Sequence, residues 1–281
     1  MNDLNRVMEP GAPTIWGVAR LFGRTVSWVF HDRVAQIVAS TFSLLLLWGT
    51  HGHMDLVGYV LDGWTGPGGD PATRAKLIPG LPWDQEWIAF GTGFFLLVVV
   101  PCLLIRFVFH EKIADYGLGL PRRGTWKFAL ISSALFGAVM LPAIVLTSRD
   151  PVMRATYPFY RNFADTTQFL TYEAGYFVFF LVIEFIFRGY LLLGLNRIYD
   201  RQVGSSPSGE SGPLVFGNYA ILLSMLSYTA WHLGKPIPEQ FGTLFFGLAT
   251  GAIVLVTRSI WPIVVVHFAL NVLLDYLIWT G

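Results

Sequence analysis

Six uncharged apolar runs recur along this chain: Val34 to Met54, Trp87 to Ile105, Phe128 to Ser148, Ser211 to Trp231, Phe241 to Thr257 and Ser259 to Leu274. A seventh begins near Phe169 and differs in carrying Glu173 and Glu184. Crossing the hydrocarbon core takes about 20 apolar residues in helical form, and only helices or closed barrels satisfy their backbone groups there. The runs predict an all-α polytopic transmembrane bundle of seven to eight spans. Composition agrees, because 13% of the 281 residues are charged and 54% are apolar, whereas soluble domains average about 25% charged. The lone Cys102 excludes an intrachain disulfide framework. A net charge of +1 implies no polyanionic partner, so no nucleic acid.

Residues 1–33 read as a separate interfacial segment. On a helical wheel Ile15, Val18, Phe22, Val26 and Val29 form one stripe, with Arg20, Arg24, Ser27 and His31 opposite. Residues 34–281 read as a single transmembrane domain. With the N-terminus in the cytoplasm, twelve Lys and Arg fall inside and six outside. The first external loop, His51 to Glu86, carries Asp55, Asp62, Asp70, Asp84 and Glu86, and Gly204 to Gly209 reads as a flexible loop.

Ionisable residues within spans carry the functional information, since each costs at least about 2.5 kcal/mol at the bilayer centre. Glu184 and Arg188 are four residues apart, on one helical face, and can pair. His232 closes an apolar helix before Gly234, Pro236 and Pro238 break the chain, and Glu239 follows within reach of the same cavity. His267 and Asn271 share a face of a very apolar helix. A carboxylate, two imidazoles, an amide and a guanidinium on three helices suit water activation and carbonyl polarisation. Bland readings stand beside each: a structural ion pair, an interface histidine, an N-terminal helix carboxylate and helix–helix glue.

The pattern resembles the CAAX-protease and bacteriocin-processing family, intramembrane endopeptidases of the type 2 CAAX prenyl protease kind. The family's Glu-Glu-x-x-x-Arg, Phe-x-x-x-His and His-x-x-x-Asn helices look like Ile183-Glu184-x-x-x-Arg188, Tyr228-x-x-x-His232 and His267-x-x-x-Asn271. Asp115 to Pro121, Phe187 to Leu192 and Arg258 to Pro262 also look like family phrases, so the resemblance covers residues 110 to 275. It implies an endopeptidase acting on a peptide or membrane-protein segment in the bilayer. A carboxylate with His232 would activate water, His267 and Asn271 would hold the oxyanion, and Arg188 would orient Glu184.

Ile183 stands where the family has its first glutamate, usually given the base role. The base is therefore Glu184 itself, or Glu239 or Glu173, or proteolysis is lost and the chain is a membrane-protein-binding scaffold. Glu173 lies about 16 Å along the helix from Glu184, too far to substitute directly. No cofactor is expected, and the alternative is a zinc site of His232, His267 and Glu184. The expected location is a bacterial inner membrane. Span counting puts His232 at the outer end of its helix, whereas Glu184 needs it at mid-depth; a short helix with a dipping Gly-Pro turn brings the two level.

Overall fold

The computed structural model describes residues 15–51, 84–198 and 213–281. The acidic first loop, the Gly204 to Gly209 stretch and the first fourteen residues of the interfacial segment lie outside the described residues. Among those described, the chain is helical with no strands. The helices are α1 (Ile15–His31), α2 (Arg33–His51), α3 (84–108), α4 (Trp126–Thr147), α5 (Pro151–Thr156), α6 (Thr166–Ile198), α7 (Pro213–Trp231), α8 (Ile237–Thr257) and α9 (Trp261–Thr280).

Each expected run maps onto one long helix, and the protein is an integral membrane bundle. Five helices, α3, α4, α6, α8 and α9, are long and apolar enough to cross a membrane. Within α2 and α7, the apolar segments Arg33–Gly49 and Tyr219–Trp231 are shorter. Among the described residues length and apolarity thus give five spans, and the expected seven to eight are not confirmed. Both shorter helices adjoin residues outside those described.

α6 is the central post. Of its apolar window 83% is buried inside the protein, against 17% for α4, which turns most of its surface outward. α6 is α-helical to Glu184 and then π-helical over Phe185–Leu193, a form found mostly near functional sites. No residue of α1 is buried. Asp32 separates α1 from α2 and caps the latter, its carboxylate accepting from the Ala35 N–H at 2.8 Å.

Two of the family-like phrases are joined to each other. Ile260 N–H donates to the Gly117 carbonyl at 3.0 Å, Trp261 Nε1–H to Leu118 at 2.9 Å, and Ser259 Oγ–H to Gly119 at 2.7 Å. Gly117 takes a left-handed φ of 88°, and a Cβ there would stand 2.8 Å from Ile260. This seam sets the start of α9, six residues before His267. Alongside it, Glu111 takes Arg197 at 2.8 Å and the Tyr116 hydroxyl at 2.9 Å, while Asp115 takes the other arm of Arg197 at 2.8 Å. Gly189 on α6 lets the Tyr116 carbonyl approach, since a Cβ would meet that oxygen at 2.6 Å. Gly189→Ala is therefore expected to destabilise the bundle by about 1–3 kcal/mol through overpacking, read as a lower unfolding midpoint in detergent.

Candidate active site

Glu184 and Arg188 pair as their spacing requires, Oε2 to Nε at 3.5 Å, both side chains fully buried. The second Glu184 oxygen bonds His267: Oε1 to Nδ1 is 2.7 Å. A carboxylate only accepts, so Nδ1 carries the proton in that bond. The Arg188 guanidinium lies 4.0 Å over the Tyr228 ring and 5.4 Å over Phe246. Tyr228 thus stands at the hub of the three motifs, its ring centroid 4.5 Å from His232 and 6.4 Å from His267.

His232 lies in the turn just after α7. Its Nδ1 is 2.8 Å from the Tyr228 carbonyl, an acceptor, so Nδ1 donates and Nε2 presents a lone pair. That lone pair faces Glu239 Oε1 at 3.6 Å. Burial pushes the His232 imidazole down to about 4, so it is neutral at ordinary pH. Glu239 sits in the first turn of α8, where the helix N-terminus favours a carboxylate. The Tyr157 hydroxyl donates to its Oε1 at 2.7 Å. Burial, with Glu239 alongside, pushes Tyr157 well above its ordinary range, so the hydroxyl remains a donor.

Two cavities of about 160 Å³ and about 80 Å³ meet at this place. Both are lined by Tyr157, Tyr228, His232, Glu239, His267 and Asn271. The larger runs between aliphatic side chains such as Met140, Ile144 and Leu274. The smaller runs among aromatic rings, with Lys235 at its wall held 4.6 Å over Phe159; burial lowers that lysine. His232 shares these walls with Asn271, about 14 Å short of the end of α9. The Gly-Pro turn therefore sits level with the α9 motif, well within the length of the bundle.

The sequence-derived residues divide accordingly. Glu239, His232, His267 and Asn271 face the cavities, whereas Glu184 and Arg188 line neither and lie behind His267 and Tyr228. Ile183 lines the smaller cavity where the family's first glutamate is expected. Glu173 is buried on α6 beside Asp275 and lines neither cavity. Sequence reasoning missed Tyr157, Lys235 and Asp275. Only Asp275 had a signal, four residues beyond Asn271 on an apolar helix.

Among the described residues no three of His, Cys, Asp and Glu converge as a ligand set. Of the trio His232, His267 and Glu184, Glu184 bonds His267 Nδ1 and pairs with Arg188.

What the fold and site define is a membrane-embedded helical protein with carboxylate, imidazole and amide groups enclosed by its helices. A family model described as Rce1-like, type II CAAX prenyl endopeptidase, matches residues 165–273, which hold all three motifs. Such a family suggests membrane-embedded protease activity. Residues 115–121 lie outside that match, although they pack against its Ser259–Trp261 portion. No curated protein matches the chain. No solved structure matches it.

Proposed function

We propose that the chain is an intramembrane endopeptidase whose general base is Glu239, with a peptide or membrane-protein segment as substrate. The observation that carries this reading is the shared lining: Glu239, His232, His267 and Asn271 face the same two cavities, and Glu184 faces neither. A water donating one O–H to Glu239 and the other to His232 Nε2 fits two acceptors 3.6 Å apart. As its oxygen attacks the peptide carbonyl carbon, Glu239 takes the proton and later delivers it to the leaving nitrogen. The oxyanion is met by Asn271 Nδ2–H and by His267. With Nδ1–H given to Glu184, His267 also donates from Nε2 only as an imidazolium, for which Glu184 is the counter-ion. No metal takes part in this scheme.

In this reading the protein sits in a bacterial inner membrane, and the Lys and Arg excess supports a cytoplasmic N-terminus. α1 lies along the interface, its exposed Ile15, Trp16, Val18 and Phe22 toward lipid.

The test is cleavage of quenched-fluorophore peptides with apolar sequences by the protein in proteoliposomes, run in ¹⁸O-water. Hydrolysis puts one heavy oxygen in the new carboxyl group, and products form without added zinc and in the presence of a chelator. Absence of cleavage, with a peptide still bound, would instead mark a non-catalytic scaffold. The pH profile gives a second check. His232 acts as an acceptor only when neutral, and burial holds its pKa at about 4 rather than 6.5. Activity is expected to persist as pH falls through 6 and to drop near pH 4. A loss centred near 6.5 would remove His232 from the acceptor role.

A further inference from the structure

Asp275 is fully buried in α9, one turn beyond Asn271, and accepts from Asn271 Nδ2 at 3.0 Å through Oδ2. Across the helix interface Glu173 of α6 is 2% exposed and lies beside Asp275. Neither carboxyl forms a salt bridge among the described residues. Asp275 Oδ1 and both Glu173 oxygens find no hydrogen-bonding partner there. Two carboxyl groups buried side by side do not both ionise. No role proposed for the cavity residues uses this pair, and such groups are costly to keep inside a membrane helix.

We propose that Asp275 is a positioning residue: its carboxylate holds the nitrogen end of the Asn271 amide, keeping the second Nδ2–H for the oxyanion in the cavities, while Glu173 carries the proton that leaves Asp275 an acceptor. The inference rests on the hydrolytic reading of the cavity residues. A carboxylate discriminates between the two ends of an amide, since a reversed Asn271 would set Oδ1 against Oδ2, acceptor against acceptor. Without that restraint the amide turns, and the cavity meets an oxygen as often as an N–H. Orientation is what an oxyanion site depends on, because its donors act only if already aimed.

Two measurements test this, one of them independent of activity. The chain holds six asparagines, so ¹⁵N-asparagine labelling in nanodiscs gives few side-chain amide signals, with Asn271 assigned through Asn271→Ala. One Asn271 side-chain proton is expected to exchange slowly with deuterium in wild type and in Glu173→Gln, whose amide can still donate to Asp275. That protection is lost in Asp275→Ala. Unchanged exchange in Asp275→Ala would overturn the proposal. In cleavage assays Asp275→Ala is expected to lower kcat on the order of 10²-fold with KM little changed, and Asn271→Ala/Asp275→Ala to be no slower than Asn271→Ala alone. Additive losses, or equal losses in Glu173→Gln and Asp275→Ala, would mean that the pair only supports the fold. Should Asp275→Ala fail to assemble, Asp275→Asn keeps the volume but offers Asn271 either end of an amide. It then loses about tenfold in kcat with partial loss of protection, and unchanged values for both would sink the idea. If no chain cleaves, or Glu239→Gln cleaves normally, the hydrolytic reading fails while the exchange experiment still decides whether Asp275 holds Asn271.

Discussion

Glu239→Gln is expected to abolish cleavage, with a fall in kcat of about 10³- to 10⁴-fold, in line with loss of a general base. The glutamine fills the same space and accepts from Tyr157 as before, so folding and peptide binding survive. What disappears is the proton acceptor. Glu184→Gln makes the informative contrast. Glu184 faces neither of the two cavities, and its loss acts through His267, which forfeits the acceptor for its Nδ1 proton and the counter-charge for its imidazolium. Its effect is therefore expected to be smaller than that of Glu239→Gln. The pair of variants is read by single-turnover kinetics across pH. A dead Glu184→Gln beside an active Glu239→Gln would make Glu184 the base. Ile183→Glu is the corresponding gain test. That side chain lines the smaller cavity, so a carboxylate there is expected to restore part of the rate to Glu239→Gln.

The helices were legible because apolar runs in a membrane chain have one way to satisfy their backbone. The site was legible for a related reason: a charged or imidazole side chain among aliphatics is conspicuous, and Glu184, Arg188, His232, His267 and Asn271 do converge. Their division of labour was not legible. Helical spacing puts Glu184 and Arg188 on one face but says nothing about which side of α6 meets a cavity. That depends on how α7, α8 and α9 pack, and they present His267 and Tyr228 to the pair. Glu239 shows the converse. Its two readings, a carboxylate at a helix start and a cavity residue, turn out to describe the same geometry. Tyr157 and Lys235 lie in connecting segments without periodicity, and only tertiary packing brings them to the site. The π-helical turns of Phe185–Leu193 left no mark in the apolar pattern, because every side chain there is buried.

Arg188→Met is expected to cost about 3–5 kcal/mol of stability, the penalty for removing one partner of a buried ion pair. At 0% exposure Glu184 would keep the His267 bond but lose its only arginine. The loss extends to the rings, because the guanidinium packs 4.0 Å over Tyr228 and 5.4 Å over Phe246 and so ties α6 to α7 and α8. Lysine would not substitute, as a point charge on a flexible stem lacks the flat face that stacks there. Glu184→Gln/Arg188→Met removes both charges and is expected to regain most of the stability, since apolar replacement of a whole buried pair is often neutral. Activity would not follow, because His267 would still lack its carboxylate. Unfolding midpoints in detergent, measured for the two single variants and the double, separate these effects. A coupling energy near zero would mean that the 3.5 Å pair contributes nothing to holding the bundle, and that Arg188 is kept for its contact with Tyr228 alone. A large coupling with no recovery of cleavage is the expected outcome: the arginine secures the position of Glu184, and Glu184 in turn holds the imidazole that faces the cavity.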